Sequence, residues 1–164
     1  MERRATVLWL LVALAVFGGF TLASRLRAPA PPPAPSWQRP VSELSPAQQQ
    51  FHAHLREQLR AAEGERGRAK SWPASTTDGW PRRQQGIYVN YVGEAEGLRW
   101  LGLFIEPDPR LPSEKPPPED AEHHTLSDGT ALHVTVWTQP LSEPKSELVT
   151  AFPAAEGWVE RVQR

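Results

Sequence analysis

The sequence has no cysteine and few lysines, and both shortages narrow the possible classes of protein. Without cysteine there is no disulfide framework, no lipoprotein anchor, no thiol nucleophile and no thiolate ligand for a metal. Lysine occurs only as Lys70, Lys115 and Lys145, a bias that we attribute to genome composition. The formal net charge is −1, so electrostatics give no reason to expect a nucleic acid as partner.

Recognisable catalytic motifs are also missing from the sequence. It has no glycine-rich phosphate loop, no serine nucleophile motif and no carboxylate pair at a spacing typical of acid–base catalysis. Ser75, Thr76 and Thr77 lie among prolines and glycine, where hydroxyl side chains stabilise turns. We therefore expect that the protein is not an enzyme.

One long apolar run stands near the start of the chain. Residues 5–24 read ATVLWLLVALAVFGGFTLAS, carry no charge and have arginines on both sides. About twenty helical residues at 1.5 Å rise cross the roughly 30 Å hydrocarbon layer of a bilayer. We expect one transmembrane anchor in the inner membrane, with residues 1–4 in the cytoplasm and the rest of the chain in the periplasm or its equivalent.

A cleaved signal peptide is the alternative to an anchor. The run Thr-Leu-Ala before Ser24 has the small-residue character of a cleavage site. Arg25 and Arg27 would then follow the cut directly, where positive charge opposes export, and this favours the uncleaved anchor. In either case the folded part of the chain is exported.

Residues 16–24, VFGGFTLAS, also resemble the cleavage motif of type IV pilins and pseudopilins. In that family the apolar helix follows the Gly-Phe junction and carries a glutamate a few residues in. Here the apolar run precedes the junction and arginines follow it. The polarity therefore disfavours a filament subunit.

Proline marks the boundary between this anchor and the foldable sequence. The chain has 18 prolines, about twice the usual proportion. Residues 25–40 are rich in them and favour a locally stiff polyproline II tether that buries no core. Residues 41–164 remain, enough for one small extracytoplasmic domain.

The domain is predicted to open with an amphipathic helix. Ser45 is a favoured N-cap residue, and Pro46 suits the first helical position. Gly64 and Gly67 weaken the pattern and predict that the helix ends between residues 63 and 66. Its apolar stripe consists of Phe51, Leu55, Leu59 and Ala62.

Two histidines, His52 and His54, also fall on this helix. Residues two apart on a helix do not share a face. We interpret both histidines as solvated surface residues.

Strand patterns follow the helix in two pairs. Residues 87–92 alternate, and residues 98–105 are apolar on both faces, which predicts one hairpin. The proline-rich segment 107–120 cannot enter a sheet interior and separates this hairpin from a second one. The expected fold class is α+β: a transmembrane helix, a tether, then one amphipathic helix packed on a small antiparallel sheet of two hairpins.

The second hairpin carries a candidate site. Asp128-Gly129 is a favoured pair for a two-residue type I′ turn. That turn would place His124 opposite His133, with Glu122 and Thr135 on the same solvent-exposed face. Leu132, Val134 and Val136 would then pack on the core.

Two imidazoles and a carboxylate form an ordinary ligand set for zinc, with the fourth position left to water or a partner. The candidate metal ligands are therefore Glu122, His124 and His133. An ordinary cross-strand histidine pair beside a solvated glutamate is the alternative. A turn of another length would shift the register and separate the two histidines.

Residues 120–137, DAEHHTLSDGTALHVTVW, resemble a segment of an uncharacterised family of small, single-span bacterial envelope proteins. We associate that family with the neighbourhood of zinc-uptake transporters. The resemblance covers this segment and the general layout of anchor, helix and strands. It implies a possible role for zinc and does not imply an activity.

Two functions are consistent with these observations. The first is a membrane-tethered accessory or interaction module of the bacterial envelope, whose partner is another envelope protein or complex. The second is a zinc-binding accessory protein of metal uptake or sensing, which would use the cross-strand histidine pair.

Overall fold

The computed structural model of the chain describes residues 33–106, 120–144 and 148–163. These residues form one α-helix, two short 3₁₀ helices and seven strands. The helix α1 spans Pro46–Ala69, and the 3₁₀ helices span Val41–Glu43 and Pro153–Glu156. The strands are β1 Gln38–Pro40, β2 Arg82–Gln85, β3 Tyr88–Ala95, β4 Leu98–Ile105, β5 His123–Thr125, β6 Ala131–Pro140 and β7 Val159–Val162.

All seven strands belong to one mixed sheet with the order β1-β7-β6-β4-β3-β2. Strand β5 also pairs with β6. It occupies the first part of one edge of β6, and β7 pairs with the same edge further along that strand. The β1 and β7 strands are parallel, whereas the other neighbours are antiparallel. The sheet therefore joins both predicted hairpins to strands from the two ends of the domain.

The predicted α+β class, with a small antiparallel sheet of two hairpins, is wrong. The described chain is mostly β, with one helix and a seven-stranded mixed sheet. The missed strands β1 and β2 read QRP and RRQQ, so neither has an apolar alternation. Long-range pairing stabilises β1, as in the 2.7 Å hydrogen bond from Gln38 Nε2 to Glu160 Oε2, 122 residues away in sequence.

None of the helices formed by the described residues is long and apolar enough to cross a membrane. The predicted anchor, residues 5–24, lies outside the described residues. So do the first half of the predicted tether, residues 25–32, and most of the proline-rich segment between the hairpins. Strand β1 occupies the last three residues of the segment that composition assigned to the tether.

Helix α1 begins where the sequence predicts. Ser45 is the N-cap and forms a capping box with Gln48: the Ser45 hydroxyl accepts from the Gln48 amide, and the Gln48 side chain accepts from the Ser45 amide. The helix runs through both glycines and ends at Lys70, which has a left-handed conformation. The predicted end between residues 63 and 66 is wrong. A Cβ at position 67 would lie 3.0 Å from Ser127 Oγ, so Gly67 permits a close tertiary contact that offsets its low helix propensity.

Helix α1 packs on one face of the sheet, which we call the helix face. Leu55 and Leu59 are fully buried there, and Gly102 of β4 provides the space that Leu59 needs. The predicted core residues of β6 are confirmed on this face. The buried residues of the helix-face core are Leu44, Leu55, Leu59, Ala62, Trp72, Val89, Tyr91, Trp100, Phe104, Leu126, Leu132, Val134 and Val136.

The other face of the sheet is also covered, and we call it the C-terminal face. Its core is smaller and consists of Leu101, Leu103, Trp137 and Trp158. Thr135, expected in solvent, is 3% exposed and accepts a hydrogen bond from Trp137 Nε1 at 2.8 Å. The expectation of a solvent-exposed face is therefore wrong at Thr135, because the chain after β6 returns to cover this part of the sheet, whereas His133 at the start of the strand stays partly exposed.

A two-residue turn joins β3 to β4. Tyr88 pairs with Ile105 and Ala95 with Leu98, so only Glu96 and Gly97 lie in the loop. Both have positive φ, 49° and 73°, as a type I′ turn requires. Glutamate is rarely found in this conformation, and Glu96 is therefore a strained position.

We predict that Glu96→Asn stabilises the protein. Asparagine adopts positive φ more readily, and the Asn-Gly pair is favoured in type I′ turns, so the free energy of unfolding should rise by about 0.5–1 kcal/mol. The hydrogen bond from Gln48 to this turn uses the Glu96 carbonyl and is retained. Urea unfolding measures the change. Glu96→Val is the control and should destabilise; equal stability of the two variants would contradict the strain.

Candidate functional site

The β5–β6 turn holds three residues rather than two. The Gly129 amide donates to the Leu126 carbonyl at 2.9 Å, and the Leu126 amide donates to the Thr130 carbonyl at 2.9 Å. Within the turn only Gly129 has positive φ, at 85°. A turn followed by a left-handed glycine is typical of three-residue hairpin loops. The predicted two-residue type I′ turn is therefore wrong.

The side chain of Asp128 explains this choice of turn. Its Oδ1 accepts from the Thr130 amide at 3.0 Å, and its Oδ2 lies 3.0 Å from Lys70 Nζ at the end of α1. These hydrogen bonds, from Thr130 and from Lys70, hold the pKa of Asp128 well below its usual range. Contacts with the helix thus stabilise a turn that the Asp-Gly dipeptide alone does not specify.

One extra residue in the turn shifts the register of the hairpin by one. His123 is opposite His133, His124 is opposite Leu132 and Thr125 is opposite Ala131. A shift of one residue moves each side chain of a strand to the other face. The predicted pairing of His124 with His133 is therefore wrong, and these two side chains lie on opposite faces of the sheet.

His124 lies on the helix face. Its Nδ1 is 2.8 Å from Glu63 Oε2 of α1, and both side chains are largely buried. The other two predicted ligands do lie together, since His133 Nε2 is 3.8 Å from Glu122 Oε2. The structure thus brings together two of the three predicted ligands and separates the third.

His123 takes the place that was predicted for His124. Its ring stacks on His133, with ring centroids 4.7 Å apart and an angle of 5° between the planes. Asp120 completes the group, because both of its carboxylate oxygens are 3.1 Å from His123 Nδ1. We call Asp120, Glu122, His123 and His133 the histidine cluster.

Backbone hydrogen bonds hold the carboxylate of Asp120 in place. Its Oδ1 accepts from the amides of Glu122 and His123 at 2.7 and 2.8 Å. These bonds, with the contact to the His123 ring, lower the pKa of Asp120 to about 2. Asp120 is therefore ionised at neutral pH.

His133 belongs to an interior strand of the sheet. It lies between His123 on one neighbouring strand and Ile105 on the other. Burial, and then the proximity of His123, lower its pKa. The two ring planes are nearly parallel, and with the side chains as they stand no three His, Asp or Glu residues of the described chain are grouped around a common point where a metal ion could bind.

A second feature, on the C-terminal face, was not predicted. Asn90 of β3 is fully buried and binds the backbone of Thr150 twice: its Nδ2 donates to the Thr150 carbonyl at 3.2 Å, and its Oδ1 accepts from the Thr150 amide at 2.6 Å. Asparagine is depleted in strands, so Asn90 is the sequence signal for this contact. Thr150 also donates through its hydroxyl to Glu156 Oε2 at 3.1 Å.

Two large apolar side chains project beside this attachment point. Leu148 is 76% exposed and Phe152 is 70% exposed, whereas Thr150 between them is 2% exposed. The Phe152 ring contacts Tyr88 at a centroid distance of 6.3 Å. The segment is therefore fixed to the sheet while its apolar side chains point outward.

A cleft of about 400 Å³ adjoins these residues, and we call it the C-terminal cleft. Its walls combine apolar side chains with two carboxylates. Arg99 supports one wall by donating to the carbonyls of Glu143 and Pro144 at 3.0 and 3.3 Å. The lining residues are Gln139, Glu143, Pro144, Leu148, Val149, Glu156 and Trp158.

His52 contradicts its predicted place on the surface. It is 2% exposed, lies near Trp100, and its Nε2 has no hydrogen-bond partner in the described structure. Burial, with the nearby charges of Arg56 and Arg161, lowers its pKa to about 4. His54 is half exposed, as predicted, and its Nε2 lies 3.1 Å from Asp78.

Comparisons with known proteins return no relatives. The sequence matches no protein-family model, no curated protein matches it, and no solved structure matches the fold. The family resemblance of residues 120–137 therefore stays a prediction.

We predict that His52→Leu reduces acid sensitivity. The folded-state pKa of about 4 lies below the ordinary 6.5, so the folded state excludes a proton that the unfolded chain binds. His52 therefore costs stability as the pH falls from 6.5 towards 4, by at most roughly 3 kcal/mol. Urea unfolding of the variant should show a shallower decline over this range than the wild type.

His52→Gln separates the effect of proton binding on stability from the effect of packing. It removes the titration and keeps a polar side chain, so its pH slope should match that of His52→Leu even where its stability is lower. If the free energies of unfolding of the wild type and of His52→Leu declined in parallel between pH 6.5 and 4, protonation of His52 would not be the cause of the acid sensitivity.

Proposed function

We propose that the chain is a non-enzymatic interaction module of the bacterial envelope, tethered to the inner membrane with its domain outside the cytoplasm. The apolar run at residues 5–24 and the proline-rich segment after it support the tether. The strands and helices that the structure describes follow that run in the sequence, which supports export. The absence of catalytic motifs from the sequence supports a role in binding.

The observation that carries the proposal is the exposure of Phe152 on a fixed segment. Burying a phenylalanine side chain contributes about 1.5–3 kcal/mol, yet this ring is held outward beside the twofold attachment of Thr150 to Asn90. Leu148, on the same segment, lines the C-terminal cleft. An ordered apolar surface of this kind is typical of a protein-binding site.

The negative charge of the C-terminal cleft indicates the kind of partner. Glu143 and Glu156 line the cleft among the apolar side chains of Leu148 and Val149. A complementary partner presents an apolar side chain flanked by arginine or lysine. We propose that the partner is another envelope protein with such a basic, apolar surface.

Site-specific photo-crosslinking tests this interface. We expect that a benzophenone amino acid at position 152 of the full-length chain, expressed in its native host, links to one discrete protein. The same probe at Glu57, an exposed position of α1 on the helix face, is the control and should give no such product. Equal products from both positions, or none from position 152, would refute the interface.

Charge variants test the complementarity in the same cells. Glu143→Arg should lower the yield of the crosslink by about fivefold or more, because reversing a charge opposite a basic partner costs about 1 kcal/mol or more. Glu143→Gln should give an intermediate yield. An unchanged yield in Glu143→Arg would contradict a basic partner.

Membrane tethering has a separate test. With alkaline phosphatase fused after Arg164, we expect enzyme activity in intact cells and a fusion that stays in the membrane fraction after alkaline extraction. Deletion of residues 5–24 should abolish both. An inactive fusion would refute the proposed orientation, whereas an active fusion released by alkaline extraction would indicate a cleaved signal peptide.

A further inference from the structure

The histidine cluster has no role in the proposed interface, and its chemistry suggests a separate one. It lies at the β5–β6 pair, whereas the C-terminal cleft is formed by residues after β6 and the end of that strand. Its four side chains combine two imidazoles and two carboxylates. Mixed nitrogen and oxygen ligands of this type suit zinc and similar divalent transition ions, whereas magnesium and calcium prefer oxygen ligands alone.

We propose that Asp120, Glu122, His123 and His133 bind one divalent transition-metal ion, with zinc as the representative. His123 and His133 are directly opposed in the sheet, so their Cβ atoms are separated by about 4.5–5.5 Å. Two imidazoles at this separation can reach one ion. The sheet fixes both backbones, so most of the conformational entropy that bringing these ligands together would require is already lost on folding.

The carboxylates approach the imidazole pair from the segment before β5. Glu122 Oε2 is 3.8 Å from His133 Nε2, and Asp120 contacts His123 Nδ1. Their side chains are 32% and 54% exposed, and those of His123 and His133 are 32% and 39% exposed. An ion from solvent therefore has access to all four ligands.

Binding requires one movement. In the metal-free arrangement the rings are parallel, so their nitrogens do not meet at one point. Rotation of the His123 ring away from the stack would direct a nitrogen towards His133 and Glu122, and it would release the Asp120 carboxylate from His123.

A nearby positive charge limits the affinity. Arg56 donates to the carbonyl of Ala121, between the two carboxylates, and the charges of Asp120 and Glu122 act on it. Together with the loss of the His123–Asp120 contact, this charge makes the site weaker than a closed structural zinc site. We expect a dissociation constant of roughly micromolar order.

Calorimetric titration of zinc into the full-length, chelator-treated protein in detergent tests the proposal. We expect one zinc per chain at neutral pH, at least tenfold weaker binding in Glu122→Gln, and no binding in His123→Ala/His133→Ala. Cobalt in place of zinc should give the intense visible absorption of a four-coordinate ion. Absence of zinc binding by the native protein would overturn the proposal.

His124→Gln is the matched control. It lies next to His123 but on the helix face, where glutamine keeps a polar contact for Glu63. Its zinc affinity should equal that of the native chain. Loss of binding in His124→Gln, with far-ultraviolet circular dichroism showing an intact fold, would refute the proposed ligand set.

A measurement of the melting temperature tests the same ligands with single variants, and so does not depend on the double variant being folded. Zinc should raise the melting temperature of the native protein and of His124→Gln, because the ion would link β5 to β6 only in the folded state. Zinc should leave the melting temperature of His123→Asn unchanged. An equal rise in His123→Asn would show that zinc binds elsewhere, and the proposal would fail.

Discussion

Much of the fold depends on the contact between Leu59 of α1 and Gly102 of β4. A Cβ at position 102 would lie 2.6 Å from a methyl carbon of Leu59, so only glycine lets the helix approach this closely. The last two turns of the helix then reach the β5–β6 hairpin. Lys70 meets Asp128, and Gly67 makes room for Ser127.

These contacts connect the helix to the candidate metal site, although no residue of α1 belongs to it. The contact between Lys70 and Asp128 stabilises the three-residue turn, and the turn sets the register. The register places His124 against Glu63 under the helix and His123 beside His133 on the other face. The proposed metal site therefore depends on packing between the helix and the turn.

The sequence predicted the parts of the fold that depend on local chemistry. The cap at Ser45 and the hairpin of β3 and β4 follow from nearby residues, and the structure confirms both. The inward face of β6 follows from the alternation of Leu132, Val134 and Val136. Each of these predictions needed only residues within one or two elements.

The predictions that were wrong depended on contacts distant in sequence. Asp128-Gly129 favours a type I′ turn by itself, but Lys70 and Thr130 stabilise another turn, while Glu96-Gly97 adopts the type I′ geometry with a less suitable residue. The strands β1 and β2 are polar and short, and they exist because neighbouring strands pair with them. An error of one residue in the turn was enough to exchange His123 and His124 in the predicted site.

The parallel pairing of β1 with β7 has a mechanical consequence. Strand β1 is the first strand that the structure describes, and it is held by three residue pairs and by the Glu160 amide, which donates to the Trp37 carbonyl. Tension on the proposed tether would act first on this short edge strand, before it reached the strands that pack under α1. Each residue released adds up to about 3.5 Å of reach. In the proposed tethered protein, β1 would therefore detach first and lengthen the tether, so that the core would stay folded while the domain remained bound to a partner.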